Sequence, residues 1–214
     1  MPTLVYFPVA GRAELSRLIA AVGGVKNFAS EHALPEGVTP GECGSPGSLP
    51  ILIDGDLKIN ESGAIETYLI SIAPKYADLS PKQRAKDSQL CHLKESILGS
   101  FSKIIFGMTP EERASGAKKT EVEEAAKKYF SVLEEILPSE GFVNGLDYPT
   151  PGDLAVVNIC EGYMPFVSAY KHAGLDLSEA YPKMVALSER AKADADVATF
   201  LEGSATLNFA FPSF

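Results

Sequence analysis

Glu61 and Ser62 are the residues best suited to binding chemistry, because they stand where a predicted β-hairpin leads directly into a predicted helix. The apolar run of residues 51–53 precedes Asp54-Gly55, a strong hairpin signal. The first turn of a helix has unpaired N–H groups and a partial positive charge, so it attracts anions. Ser62 adds a hydroxyl donor there, and the Glu61 carboxylate can hold an ammonium group. The pair therefore predicts a site for the carboxylate and amine of an amino acid, the alternative being that Ser62 is only an N-cap.

A cation, Arg12, stands at the start of the first predicted helix, where the helix dipole does not favour positive charge. Its position makes sense if the guanidinium faces an anionic ligand, whereas the alternative is a solvent-exposed arginine. A short strand over residues 3–7 ends at Pro8, and helical spacing over residues 13–22 follows the cation. The sequence thus places Arg12 in a loop between a strand and a helix.

The first third of the chain predicts an α/β unit. Residues 27–31 give a weak strand signal, and residues 33–47 form a long surface segment rich in proline and glycine. Two strands joined through a helix form a parallel pair, and the hairpin adds an antiparallel edge, so a mixed sheet is expected. We predict a first domain over residues 1–75 and a linker over residues 76–81.

Everything after the linker has helical patterning and predicts an all-helical second domain over residues 82–214. Thr150 and Asp153 form a capping box at the start of the most apolar predicted helix. The aromatic end, residues 207–214, is expected to dock on the rest of the protein. Small-molecule sites usually lie in clefts between domains, so the boundary between the two units is the expected site. The predicted helices span residues 81–106, 120–137, 154–170, 175–192 and 195–201.

Composition argues against several classes of function. The net charge of −9 disfavours nucleic acid and anionic membranes as partners, because phosphate binding needs clustered Lys and Arg. No apolar run approaches the roughly 18 residues of a membrane span, and no secretory signal opens the chain, so a cytoplasmic location is expected. The 3 cysteines are far apart and the 3 histidines are isolated, which argues against a disulfide framework and against a metal site.

Five stretches of the chain resemble the cytosolic glutathione transferases of the tyrosine-type classes (alpha, mu, pi and sigma). Residues 6–14, Tyr-Phe-Pro-Val-Ala-Gly-Arg-Ala-Glu, look like the start of these enzymes, and residues 47–65 match the glutathione-site signature. The capping box of residues 150–153 matches the helical domain of the family. Tyr181-Pro182 and Phe200-Leu201 fall where its closing helices lie. The resemblance implies a thioredoxin-like N-terminal domain with a mixed four-stranded sheet, an all-helical C-terminal domain and usually a homodimer.

The resemblance also implies roles for individual residues, with glutathione as co-substrate and no metal. A thiol with a pKa of about 8.5 is mostly protonated near neutral pH, and a tyrosine hydroxyl that donates to the sulfur stabilises the thiolate. Tyr6 would be this catalytic tyrosine, and Pro50 would follow a cis peptide bond that presents the backbone of Leu49 to the ligand. The implied glutathione-binding residues are Tyr6, Phe7, Arg12, Ser48, Leu49, Pro50, Glu61 and Ser62.

Several positions depart from the family pattern. The chain has no tryptophan, and no Lys or Arg occurs between Lys26 and Lys58, so the usual anchors for the glycine end of glutathione are missing. Ser48 stands where several classes have glutamine, and Pro46 replaces an aromatic residue that locks some dimers together. These differences predict weaker glutathione binding and a dimer without that lock.

The expected activity is conjugation of the glutathione thiolate to a small hydrophobic electrophile, as in detoxification. The acceptor would lie against apolar side chains, although residues of this type more often belong to the core. Two alternatives stay open: glutathione-dependent isomerisation of the prostaglandin-synthase type, and a non-catalytic ligand-binding or structural role. The electrophile pocket is predicted to contain Phe7, Val9, Ile104, Ile105, Phe106 and Met108.

Overall fold

The structure, a computed structural model, describes residues 1–206 apart from the side chains of Tyr163 and Met164. The predicted docking of the aromatic tail, residues 207–214, lies outside the described residues. Within them the predicted fold class is confirmed, because a four-stranded mixed sheet with helices is followed by a helical domain.

The sheet has the strand order β2-β1-β3-β4. Strand β1 (Thr3–Val5) lies parallel to β2 (Ala29–Glu31) and antiparallel to β3 (Ile51–Asp54). A two-residue turn then leads from β3 into the antiparallel strand β4 (Leu57–Asn60). Gly55, with a φ of 62°, supplies the left-handed conformation that such a tight hairpin turn requires.

Two helices cover one face of the sheet, α1 (Glu14–Val22) and α2 (Ser62–Ile72). Side chains of alternate strand residues point to opposite faces, so Leu4 packs with these helices in the main core. Its neighbour Val5 packs on the other face, where a small second cluster also contains Cys43. Short 3-10 turns occur at Gly11–Ala13, Pro40–Cys43 and Pro74–Tyr76.

The helical domain is built around the long helix α3, whose start is fixed by a capping box. The N–H of Gln83 donates to the hydroxyl of Ser80, and the side chain of Gln83 accepts the N–H of Ser80 at 2.9 Å. Phe101 of α3 packs edge to face against three other rings, at centroid distances of 5.8 to 6.4 Å. The helices are α3 (Pro81–Phe106), α4 (Pro110–Ala114), α5 (Lys119–Ile136), α6 (Pro151–Glu161), α7 (Ser168–Ala173), α8 (Leu177–Ala180), α9 (Pro182–Lys192) and α10 (Ala195–Gly203).

The most apolar predicted helix is not continuous, so the prediction of one element there was wrong. Helix α6 ends at Glu161, and Gly162 after it has an extended backbone with ψ of 108°. A π-helical turn, Tyr163–Val167, separates it from α7. Pro165 lies in this turn and has no N–H to continue the helical hydrogen bonding, which explains the interruption. Among the described residues, no helix is both long enough and apolar enough to cross a membrane.

Candidate active site

Tyr6 is the first residue after β1, and its side chain lines a cavity of about 550 Å³ between the sheet domain and the helical domain. Only 8% of the residue is exposed, so its surroundings hold the ring in place. The backbone N–H of Arg12 donates to the Tyr6 hydroxyl oxygen at 3.2 Å. Because the oxygen accepts this bond, the hydroxyl hydrogen stays available for donation to an anion in the cavity.

Gly11 allows the loop after β1 to approach the Tyr6 ring. Its φ of 46° lies in the left-handed region, which favours glycine. A Cβ atom at this position would lie 2.5 Å from the Tyr6 hydroxyl oxygen and 2.9 Å from a ring carbon. A residue with a side chain would therefore displace the tyrosine or the loop.

A buried ion pair that was not predicted from the sequence holds the same loop. Arg17 donates to the carbonyl oxygens of Phe7 at 3.3 Å and Val9 at 3.1 Å. Its guanidinium also forms an ion pair with the buried Glu14 carboxylate at 2.7 Å. The hydroxyl of Thr206, after helix α10 of the helical domain, donates to the same carboxylate. The only sign of this ion pair in the sequence is the spacing of two opposite charges three residues apart on α1. A solvent-exposed pair has the same spacing, so the burial of this pair could not be predicted.

Apolar side chains form most of the cavity wall next to Tyr6. Phe7 packs edge to face against the Tyr6 ring with a centroid distance of 5.4 Å. Phe7 and Phe106 are 57% and 55% exposed, so both rings are accessible to a ligand. Accessible aromatic rings in an apolar wall suit a flat, apolar molecule. The cavity is lined by Tyr6, Phe7, Pro8, Val9, Gly11, Arg12, Leu98, Ser102, Phe106 and Pro165.

Only one face of α3 borders the cavity, and this decides which predicted pocket residues line it. Ser102 and Phe106 are four residues apart, so they share that face. Ile105 and Met108 are 1% and 3% exposed and belong to the core of the helical domain. Ile104 is partly buried and packs against that core. Of the six predicted pocket residues, the cavity lining contains Phe7, Val9 and Phe106.

A smaller cavity of about 240 Å³ lies at the start of α2. Glu61, with a φ of 73°, and Ser62, which is buried, line it together with Glu95 of α3. The Ser62 hydroxyl donates to Glu95 Oε2 at 3.2 Å, and Glu95 Oε1 forms an ion pair with Arg12. Since Arg12 also lines the larger cavity, this ion pair lies at the boundary between the two cavities. Nothing in the sequence marks Glu95 as a site residue, because a charged residue on a long helix is usually solvent-exposed.

The segment before β3 brings the remaining predicted binding residues close to Tyr6. The peptide bond between Leu49 and Pro50 is cis, as the resemblance implied. The Ser45 hydroxyl donates to the carbonyl oxygen of Ser48 at 2.6 Å and stabilises this turn. Because β1 and β3 are antiparallel and β1 ends just before Tyr6, the residues that precede β3 lie next to the tyrosine.

Comparison with known proteins finds glutathione S-transferases among the relatives of this chain. The family model described as "Glutathione S-transferase, C-terminal domain" matches residues 96–204. A putative glutathione S-transferase alpha-5 from Dictyostelium discoideum is 25% identical over 209 residues, which cover 97% of this chain and 98% of the relative. The two sequences therefore correspond over both domains.

Solved structures support the same fold. A glutathione S-transferase from Caenorhabditis elegans matches with a TM-score of 0.69 and 26% identity, covering 95% of this chain and 98% of that chain. A rat hPGDS complexed with a quinoline also matches with a TM-score of 0.69, at 20% identity and over 95% of this chain and 96% of that one. At such identity, the second likeness concerns the fold alone.

Proposed function

This chain belongs to the glutathione S-transferase family, and we propose that it is an enzyme that transfers the glutathione thiolate to small hydrophobic electrophiles. The observation that carries this proposal is the Tyr6 hydroxyl, which is oriented by the N–H of Arg12 and borders an apolar cavity. An oriented hydroxyl can stabilise a thiolate, and the apolar wall beside it can hold an apolar acceptor within reach of the sulfur.

The magnitude of the required stabilisation is compatible with one hydroxyl. Lowering a thiol pKa by about two units makes thiolate the main form near neutral pH and corresponds to about 2.7 kcal/mol. A hydrogen bond to a charged group contributes about 1.5–3 kcal/mol. In the proposed step the thiol proton passes to solvent, the thiolate attacks the electrophilic carbon, and the leaving group departs with the bonding electrons. For an addition, a solvent proton completes the product instead.

The residues at the start of α2 fit the γ-glutamyl end of glutathione. Glu61 would hold the ammonium group, while the first backbone N–H groups of the helix would hold the carboxylate. The Ser62 hydroxyl already donates to Glu95, so the backbone N–H groups are the donors that stay available. The backbone of Leu49 would pair with the cysteinyl unit and direct its sulfur toward Tyr6. The proposed glutathione-binding residues are Tyr6, Phe7, Arg12, Ser48, Leu49, Pro50, Glu61 and Ser62.

The acceptor would bind in the larger cavity, whose volume of about 550 Å³ is adequate for a small organic molecule. Phe7 and Phe106 provide exposed aromatic surface for it, and Ser102 offers a hydroxyl in the same wall. These features support an acceptor with a flat, apolar body and at most a few polar groups. A role in detoxification belongs to the same proposal.

The assembly and location of the enzyme are further parts of the proposal. We expect a homodimer and a cytoplasmic location, because both are typical of the family. The loop before β3 has Pro46 where an aromatic residue locks some dimers, so the pairing would rest on other contacts. Light scattering coupled to size-exclusion chromatography tests for the dimer. The expected mass is twice the chain mass of 22.8 kDa.

Isothermal titration with glutathione, followed by a screen of electrophilic acceptors, tests the proposed function. We expect saturable binding at millimolar glutathione or below, and glutathione consumption in proportion to product. Turnover without glutathione consumption would favour isomerisation. The absence of binding at millimolar glutathione would contradict the proposal and favour a non-catalytic role.

A further inference from the structure

Lys94 is a fully buried cation at the junction of the two domains. Its side chain is 1% exposed, and lysine is almost never buried to this extent without a charged partner. Its Nζ pairs with Glu66 Oε1 of α2 at 2.7 Å and with Glu95 Oε2 of its own helix at 3.5 Å. The cation therefore joins a carboxylate of the sheet domain to a carboxylate of the helical domain.

Glu95 connects this buried cation to the candidate active site. Its Oε2 atom accepts a hydrogen bond from the Ser62 hydroxyl and forms an ion pair with Lys94, while its Oε1 atom forms an ion pair with Arg12. The four charged residues alternate in sign from Glu66 to Arg12, so their formal charges cancel. Only Glu95 and Arg12 are appreciably exposed, with side-chain exposures of 28% and 41%.

We propose that Lys94 is a positioning residue of the glutathione site, which holds Glu95 so that Glu95 in turn fixes Arg12 and Ser62. This inference rests on the proposed function. Without Lys94, the Glu95 carboxylate keeps only a partly exposed cation as its ionic partner and is free to turn toward water. Arg12 and Ser62 then lose the Glu95 carboxylate as their common partner. This carboxylate holds the Arg12 side chain beside Tyr6 and the Ser62 hydroxyl at the start of α2.

A purely structural role would account less well for this arrangement. Breaking a buried ion pair is costly, but replacing the whole pair by apolar residues is often neutral or stabilising. Burial raises the pKa of Glu66, and the charge of Lys94 only opposes this effect. The ion pair between Lys94 and Glu66 therefore contributes little stability beyond that of an apolar contact. An apolar residue at position 94 could replace this pair, but it could not bind the Glu95 carboxylate.

The test is the double variant Lys94→Met/Glu66→Leu, which removes both buried charges and leaves none unpaired. The matched control is Glu66→Gln, which keeps an oxygen acceptor for Lys94 and leaves the contact between Lys94 and Glu95 intact. For each protein, the thermal unfolding midpoint and the Kd for glutathione are measured by calorimetry. If Lys94 is a positioning residue, the double variant keeps the unfolding midpoint of the wild type but binds glutathione more weakly.

We expect the double variant to raise the Kd for glutathione about tenfold, while the control stays within about threefold of the wild type. A double variant that folds and binds with an unchanged Kd would overturn the positioning role. A control that loses as much affinity as the double variant would overturn it as well, because Glu66 would then be sufficient to explain the effect. Failure of the wild type to bind glutathione would instead contradict the proposed function, so the two failures are distinguishable.

Discussion

The backbone N–H of Arg12 and the hydroxyl oxygen of Tyr6 lie 3.2 Å apart and form a hydrogen bond across the loop between β1 and α1. This bond occupies the acceptor side of the hydroxyl and leaves its hydrogen for an anionic partner. Arg17 also stabilises this loop, because its guanidinium donates to two carbonyl oxygens of the loop. The orientation of the proposed catalytic group therefore depends on backbone geometry as much as on the tyrosine itself.

Gly11→Ala is expected to lower kcat/KM for conjugation by about tenfold to a hundredfold, because small misplacements of a catalytic group have effects of this size. The added Cβ would lie 2.5 Å from the Tyr6 hydroxyl oxygen, so the ring or the loop must move. Steady-state kinetics with saturating glutathione checks this.

Gly24→Ala is the matched control for this substitution. Gly24 also has a positive φ, of 72°, but an added Cβ there would meet no atom within 4 Å. Both variants introduce similar backbone strain, and only the Gly11 variant disturbs the site. Equal activity losses in the two variants would contradict the role assigned to the contact with Tyr6.

Phe106→Ala is expected to raise the KM for an aromatic acceptor about tenfold, which corresponds to about 1.4 kcal/mol of lost contact. The ring lines the cavity and is 55% exposed, so its removal takes away binding surface without opening the core. Ile104→Ala is the control, because Ile104 packs against the core two positions earlier in α3. It should lower the melting temperature and leave the KM unchanged. The reverse result would place the acceptor on the other side of α3.

Local sequence signals were sufficient to predict much of the fold. The helix predicted over residues 81–106 from its apolar periodicity matches α3 at both ends. The hairpin turn at Gly55 and the crossover through α1 likewise determined the mixed sheet. Such signals act between residues close in sequence, so a single chain is enough to detect them.

The parts of the site that could not be predicted depend on contacts between distant residues. Periodicity shows that α3 has apolar positions, but α3 packs on several elements, so it does not show that Ser102 rather than Ile105 faces the cavity. Glu95 and Lys94 look like ordinary surface charges until α2 is placed beside α3. Neither their burial nor their pairing has a signal within the segment that contains them.

Asp87→Asn is expected to become more stable relative to the wild type as the pH rises from about 4 to about 6. Burial raises the pKa of Asp87 from 3.8 to about 6, and its Oδ2 atom has no hydrogen-bond partner among the described residues. In this window the folded state binds more protons than the unfolded state, so wild-type stability falls as the pH rises. Asparagine keeps an oxygen that can accept the bonds from Thr150 and Gly152.

Chemical denaturation at a series of pH values measures this difference, and Asp176→Asn provides a control of opposite sign. Hydrogen bonds from Ser178 lower the pKa of Asp176, so the stability that this group contributes is present above its unfolded pKa and is lost as the pH falls. The Asp176 variant should thus approach the wild type at low pH. A stability difference for Asp87→Asn that does not change between pH 4 and 6 would contradict the burial of an ionisable carboxyl at this position.

Tyr6→Phe tests the central claim most directly, because it removes only the hydroxyl that is proposed to stabilise the thiolate. The measurement is turnover with a chloro-nitroaromatic acceptor, together with the Kd for glutathione. We predict that the Kd changes little and that turnover falls by about one to three orders of magnitude, in line with the loss of one hydrogen bond to a charged group. Unchanged turnover in a variant that still binds glutathione would contradict the assignment of Tyr6 as the catalytic residue.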